Sequence, residues 1–267
     1  MIETQHCMNL LSNLGLETSA ECLESCLSQA TKQKSTYVDF LTKLLNTEQD
    51  VRQQRSYETR LKLSRLPQKK DLDSFDFNFQ PSLDEQQIRE LATLNFAVRK
   101  ENLVLLGPPG VGKSHLGMAL CMEAIKKGLI AYFTTMDRLM DDLVRADLDG
   151  RLAKRWKVYR RPDLLMIDEI GYKPLDKVTG NLFFQLVCLR YEKGSLILTS
   201  NKGFSDWGEL MGNTAMATAI LDRLLHHAHV INIRGGSYRM KERKQFLDLV
   251  DLKEPIKTKQ QSEAGQF

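Results

Sequence analysis

Two rhythms of apolar residues divide the chain. Over residues 1–70, Leu10, Leu11 and Leu14, and later Phe40, Leu41, Leu44 and Leu45, recur at the spacing of a helix face. That stretch holds one proline, Pro67, and one glycine, Gly15, in a background rich in Leu, Gln, Lys, Arg and Glu. It predicts a small all-helical N-terminal domain over residues 1–70, with the last helix ending at Pro67. From residue 101 the rhythm changes. The short apolar runs Leu103–Leu106, Ile130–Phe133, Leu164–Ile167, Leu196–Leu198 and Val230–Ile233 alternate with amphipathic stretches. Runs of this kind between helices predict an α/β fold, a parallel five-stranded sheet flanked by helices on both faces.

Between the two lies Asp71 to Pro81, where Phe75, Phe77 and Phe79 alternate in a polar stretch. This reads as an extended linker, drawn over residues 71–82. A helix from about Leu83 to Lys100 is expected next, with Ser82 as cap and Glu85 as capping-box partner. The sheet-bearing domain is drawn over residues 83–250. Residues 251–267 carry few apolar anchors and predict a disordered tail.

Candidate chemistry lies at the ends of the apolar runs. Gly107-Pro108-Pro109-Gly110-Val111-Gly112-Lys113-Ser114 follows the first run and opens a helix near Gly112. Glycines let a backbone curl around phosphates with its N–H groups pointing inward, and the helix N-terminus adds partial positive charge. In this strand–loop–helix setting the motif predicts a P-loop that binds ATP. Lys113 would reach the β- and γ-phosphates, and Ser114 would ligate Mg²⁺. The third run ends in Asp168-Glu169. Asp168 is expected to hold Mg²⁺, and Glu169 to polarise the water that attacks the γ-phosphate. The fourth run ends at Asn201, expected to sense the γ-phosphate or that water. In Ile220-Leu221-Asp222-Arg223-Leu224, Arg223 suits a γ-phosphate held by a neighbouring subunit, which would require a homo-oligomer.

Composition narrows the partners. The 267 residues carry a formal net charge of +4, too small an excess to prove nucleic-acid binding. Cys7, Cys22, Cys26, Cys121 and Cys188 are odd in number, and no pair has CxxC spacing, so reduced thiols are expected rather than a metal site or disulfide framework. Met1 to His6 lacks the basic start and apolar core of a signal peptide. No apolar run approaches the roughly 18 residues of a membrane span. The expectation is a soluble cytoplasmic protein with no membrane partner. His226, His227 and His229 are expected to close the Arg223 helix rather than bind metal.

The four elements in this order mark the AAA+ ATPases, and the match is closer than superfamily level. Phe75-Asp76-Phe77 with Pro81-Ser82-Leu83, then Gly-Pro-Pro-Gly-Val-Gly-Lys-Ser-His-Leu through His115 and Leu116, Leu-Met-Ile-Asp-Glu-Ile-Gly-Tyr, Leu-Thr-Ser-Asn-Lys and Ile-Leu-Asp-Arg-Leu-Leu-His-His resemble the IstB-like transposition helper proteins of bacterial insertion sequences. They also resemble the DnaC-type helicase loaders. The resemblance spans about residues 10 to 245. It implies an ATPase that binds duplex DNA, oligomerises on it in an ATP-dependent way, and recruits and activates a DDE transposase. It places His115 within the cofactor-binding motif and Phe75 and Phe77 near the adenine base. It makes Arg239, in Gly235-Gly236-Ser237-Tyr238-Arg239, a candidate second sensor. Ser114 stands where many members carry Thr; both present a hydroxyl.

Between the second and third runs lies a long insertion, about Met136 to Arg161, of the kind that this clade directs toward DNA. Its end, from Arg151 through Lys154, Arg155 and Lys157 to Arg161, has six cations and no acid in eleven residues. Such a run gives sequence-independent, salt-sensitive affinity for phosphates. Arg52 to Lys70, with seven cations against Glu58, is a second candidate. Trp156 and Tyr159 fit a packed face better than a stacking platform. Two other functions stay open, a replicative helicase loader and a P-loop small-molecule kinase, although the combination above is not that of a kinase.

Overall fold

A computed structural model describes residues 2–241 and residue 243; the expected tail and the end of the 83–250 domain lie outside them. The chain begins with three helices, α1 (Ile2–Asn13), α2 (Glu17–Gln33) and α3 (Tyr37–Leu63). Thr36 caps α3 in a capping box with Asp39. Leu23, Cys26 and Leu44 form the small core of this bundle, with Met8, Leu11 and Phe40 packed against it. Leu10, Leu14, Leu41 and Leu45, on the expected apolar faces, stay exposed, because three helices cannot enclose every leucine. A polar tie compensates. The buried Glu48 carboxylate accepts a hydrogen bond from the Ser19 N–H at the start of α2 (2.8 Å) and one from Arg52 (2.7 Å). Burial works to raise the Glu48 pKa, but these donors hold it below the usual value.

The far end of α3 leaves the bundle. Tyr57, Leu61 and the following Leu66 pack on the core of the sheet. The helix stops at Leu63, short of Pro67, and the Ser64 carbonyl then accepts a hydrogen bond from the Phe133 N–H at 2.7 Å.

The linker is not extended. Phe77–Phe79 form a single 3-10 turn, capped by Asp76, whose carboxylate accepts from the Phe79 N–H. Phe75 and Phe77 pack against the core 4.9 Å apart, and that burial overrides the alternating pattern. The expected 83–100 helix is two short ones, α4 (Glu85–Leu91) and α5 (Asn95–Val98), parted by Leu94 at φ 66°. Asp84 rather than Ser82 caps α4, accepting from the Gln86 and Gln87 N–H groups. The Ser82 hydroxyl accepts from the Arg234 N–H instead.

The sheet follows as β1 (Asn102–Leu106), α6 (Lys113–Lys126), β2 (Ala131–Thr135), α7 (Met136–Leu148), α8 (Leu152–Arg160), β3 (Leu164–Ile170), α9 (Lys177–Arg190), β4 (Ser195–Ser200), α10 (Trp207–Leu210), α11 (Thr214–Leu225) and β5 (Ala228–Asn232). All five strands are parallel, in the order β2-β3-β4-β1-β5. Successive side chains enter opposite faces. Leu103, Leu105 and Met166 join one core with α6, and Val104, Leu165 and Ile167 join the other with α7, α9 and α11. The chain therefore crosses to the β2 edge, returns through β3 and β4, and leaves the carboxyl ends of β1, β3 and β4 side by side.

Arg190, 2% exposed, ties the insertion to this frame. Its guanidinium donates to the carbonyls of Tyr159, Arg160, Pro162, Asp163 and Ser195, at 2.7–3.3 Å. Burial lowers its pKa to about 10, with the nearby Asp163 carboxylate opposing the shift.

Candidate nucleotide-binding site

The carboxyl ends of β1, β3 and β4 open into a cavity of about 500 Å³, where open α/β sheets bind ligands. The loop after β1 turns through Gly110 at φ 83° and Gly112 at φ 100°. A Cβ on Gly112 would come within 2.5 Å of the Phe75 ring, and one on Gly110 within 2.1 Å of the Ser237 hydroxyl. The loop is thus clamped between the two chain segments that wall the cavity. Pro109, Gly110, Val111, Gly112, Lys113, Ser114 and His115 line it, whereas Gly107 and Pro108 stand behind and accept hydrogen bonds from Lys113 Nζ at 2.6 and 2.8 Å. Burial lowers the Lys113 pKa, nearby Asp168 opposes that, and Arg239 adds to it.

Ser114 Oγ donates to Asp168 Oδ1 at 2.9 Å, so the first and second motifs meet directly. Asp168 is buried and Glu169 is exposed, yet both line the cavity. Thr199 Oγ1 donates to Asp168 and accepts from the Glu169 N–H. Asn201 lines the same cavity, and its buried Oδ1 has no hydrogen-bond partner. A buried carbonyl oxygen so placed can accept a hydrogen bond from a donor in the cavity.

Phe75 lines the cavity, and Phe77 packs behind it. The His115 ring meets Phe75 edge-on at 5.3 Å, and its Nε2 lies 2.9 Å from the Asp71 carbonyl. Arg239 lines the opposite wall, where the Tyr238 N–H donates to the Gly110 carbonyl at 2.9 Å. Gln80 and Gly236, Phe79 and Tyr238, and Asp76 and Lys241 join the two walls.

Arg223 does not reach this cavity. Its guanidinium donates to the Ala219 carbonyl at 2.8 Å and lies over the Phe184 ring. Further lining residues, Thr199, Gln80 and Tyr172 among them, had no role assigned from the sequence, and Lys70, at the end of the Arg52–Lys70 stretch expected to meet DNA, lines the cavity as well. Thr199 and Tyr172 stand inside quoted motif runs, yet neither run by itself assigns them a task; Gln80 has no local signal.

The basic insertion differs from its sequence pattern. Arg155 pairs with Asp142 of α7 and is half-buried, and Arg151 pairs with Asp149. Acids absent from the run itself arrive from the preceding helix, Asp142, and from its C-cap, Asp149. Lys154 and Lys157 are exposed. Tyr159 is core, donating to Asp142 at 2.6 Å, and Trp156 packs beside that core. A second cavity of about 290 Å³ is lined by Arg65 of the Arg52–Lys70 stretch together with Arg138, Arg145, Arg155, Asp141 and Asp142. His226 ends α11 as expected. His229 pairs with Glu101 instead, and exposed Glu192 comes to within 4.8 Å of His226 and His227. Among the described residues, no helix is long and apolar enough to cross a membrane.

A family model described as IstB-like ATP binding protein matches residues 9–246. The chain belongs to that family. The ATP-binding protein of insertion sequence IS21 from Pseudomonas aeruginosa is 47% identical over 96% of this chain and 97% of its own length. The corresponding protein of IS5376 from Geobacillus stearothermophilus is also 47% identical, over 86% of this chain and 92% of its own length. Among solved structures, DnaI superposes with a TM-score of 0.53 at 21% identity, covering 62% of this chain and 91% of that one. AMPPCP-bound DnaA from Aquifex aeolicus gives 0.53 at 22% identity, covering 72% and 59%. These likenesses establish the AAA+ P-loop fold. The IstB-like family and its insertion-sequence setting were the ones its motifs resembled.

Proposed function

We propose that this protein is the ATP-dependent, DNA-binding regulator of an insertion sequence. It oligomerises on duplex DNA and recruits and activates a DDE transposase, with ATP hydrolysis as the switch. The observation that carries this reading is the gathering of Lys113, Ser114, Asp168, Glu169 and Asn201 around one cavity while Arg223 stays outside it. The insertion-sequence setting of its relatives favours transposition over helicase loading.

In this reading the P-loop N–H groups and Lys113 bind the phosphates, which requires Lys113 to exchange the Gly107 and Pro108 carbonyls for phosphate oxygens. Phe75 lies beside the adenine base, backed by Phe77, with His115 alongside. Arg239 approaches from the C-terminal wall as a second sensor. The hard oxygen donors Ser114 Oγ and Asp168 Oδ1, already in contact, fit Mg²⁺. When bound, Mg²⁺ neutralises charge on the phosphates. Glu169 accepts a proton from the attacking water, and Asn201 Oδ1 accepts a hydrogen bond that orients it. Arg223 completes the site of a neighbouring copy, so the catalytic site is shared between subunits. Lys154 and Lys157, with Arg151 and Arg155 behind them, contact the DNA backbone with weak sequence preference.

The test is ATPase activity with and without duplex DNA, together with ATP-dependent DNA binding. DNA should stimulate hydrolysis. Glu169→Gln should abolish hydrolysis while ATP-dependent DNA binding persists. If DNA changes neither activity, the reading fails. Recovery of a hexameric helicase instead of a transposase would turn it toward helicase loading.

A further inference from the structure

We infer that Thr199 is the positioning residue that holds Asp168 and Glu169 in their different stations, an inference that rests on the cavity being hydrolytic. The backbone supplies the first observation. β3 and β4 pair in step up to Ile167 opposite Leu198, and the next match is Ile170 opposite Ser200. Two residues of β3, Asp168 and Glu169, therefore face one residue of β4, Thr199. This is a β-bulge, which re-aims side chains at the end of a strand. In an unbroken strand, residues 168 and 169 would point to opposite faces of the sheet. With the bulge both border the cavity, Asp168 from within at 6% exposure and Glu169 from its open side.

The bulge needs support. Glu169 sits at φ 65°, a left-handed conformation that a non-glycine residue adopts only when its surroundings hold it there. Its N–H is received by Thr199 Oγ1 at 3.0 Å. The hydroxyl has a single proton, which it gives to Asp168 Oδ1. Accepting from one residue and donating to the other, Thr199 fixes the metal-binding acid and the water-activating acid together. It is 1% exposed, and removing the hydroxyl takes away the protein partner of the Glu169 N–H and one donor to Asp168. The hydrogen bonds of this hydroxyl go to Asp168 and Glu169 and not to the P-loop or Lys113, so nucleotide affinity should survive its loss while the hydrolytic geometry does not.

The experiment compares wild type, Thr199→Val, Thr199→Ser and Glu169→Gln as full chains. It measures kcat and KM for ATP, the Mg²⁺ concentration for half-maximal rate, and equilibrium affinity for a fluorescent ATP analogue. Thr199→Val should lower kcat by about 100-fold, the scale of an ångström-sized misplacement. It should leave analogue affinity near wild type and raise the Mg²⁺ requirement. Thr199→Ser, keeping the hydroxyl, should restore most of the rate and the Mg²⁺ response. If the valine variant does not fold, Thr199→Cys, with a weak thiol donor of similar volume, should show the same kcat loss. An unchanged kcat in the valine or cysteine variant, or a serine variant as impaired as valine, overturns the inference. A wild type that binds the analogue but does not hydrolyse ATP overturns the hydrolytic reading beneath it, and the two failures are told apart by that control.

Discussion

The N-terminal bundle is organised around Leu23, Cys26 and Leu44, whereas the sheet shuts away whole strands, Leu103–Leu105 and Leu164–Ile167 among them, on two faces at once. Each fully buried aliphatic or aromatic side chain stabilises by roughly 1.5–3 kcal/mol, so the sheet has a large apolar reserve and the bundle little. The bundle relies instead on the buried carboxylate of Glu48 in α3, which accepts from the Ser19 N–H near the start of α2, and on α3 continuing onto the sheet through Tyr57 and Leu61. A small helical unit need not stand alone when one of its helices is anchored in a neighbour.

The hardest blow to that contrast should come from Phe183→Ala in the sheet core, where the side chain is fully buried. The loss should be about 3–5 kcal/mol, with nucleotide binding weakened as the strands loosen. Calorimetry and analogue binding on one sample check it. Leu44→Ala should cost about 2–3 kcal/mol, at the low end of core truncations, and only locally. Hydrogen exchange should speed up in α1, α2 and the first half of α3, with β1, β3 and ATP binding unaffected. Loss of protection in the sheet would show that the two regions unfold as one.

Acid should sharpen the contrast further. The folded state holds the Glu48 pKa below its unfolded value, so its contribution is present above that unfolded value, about 4.3, and is lost as pH falls through the lower folded one. The bundle should lose exchange protection before the sheet over that range, and Glu48→Gln should remove the difference. The smallest effects belong to surface charge. Lys154→Ala or Lys157→Ala should weaken DNA binding evenly across sequences and reduce the salt slope by about one, leaving stability unchanged. Arg155→Ala, which breaks the pair with Asp142, should instead show first in melting temperature.

The strands and the P-loop were legible because each is a local matter. A strand buried on both faces must be an apolar run, and a phosphate loop must have its glycines and lysine in fixed order. What sequence reading missed depends on partners far along the chain. Asp142 neutralises Arg155 from 13 residues away. Phe75, Phe77 and Phe79 alternate as a strand would, and only burial against the sheet bends them into a turn. Ser82 had the composition of a cap, but Asp84 took that role and the Ser82 hydroxyl served Arg234. Thr199 gains its importance from two residues on the adjacent strand, which no spacing within β4 discloses.

The hydrogen bond from the Phe133 N–H to the Ser64 carbonyl bears on how the protein behaves when crowded. β2 is an outer strand of the sheet, and an outer strand's free N–H and C=O groups invite any passing strand to extend the ladder. Here the connector from α3 has already taken that place at Phe133, and Arg65 follows it across the neighbouring Tyr132 ring. A strand approaching this flank meets a backbone donor already engaged, which works against templated growth of the sheet there.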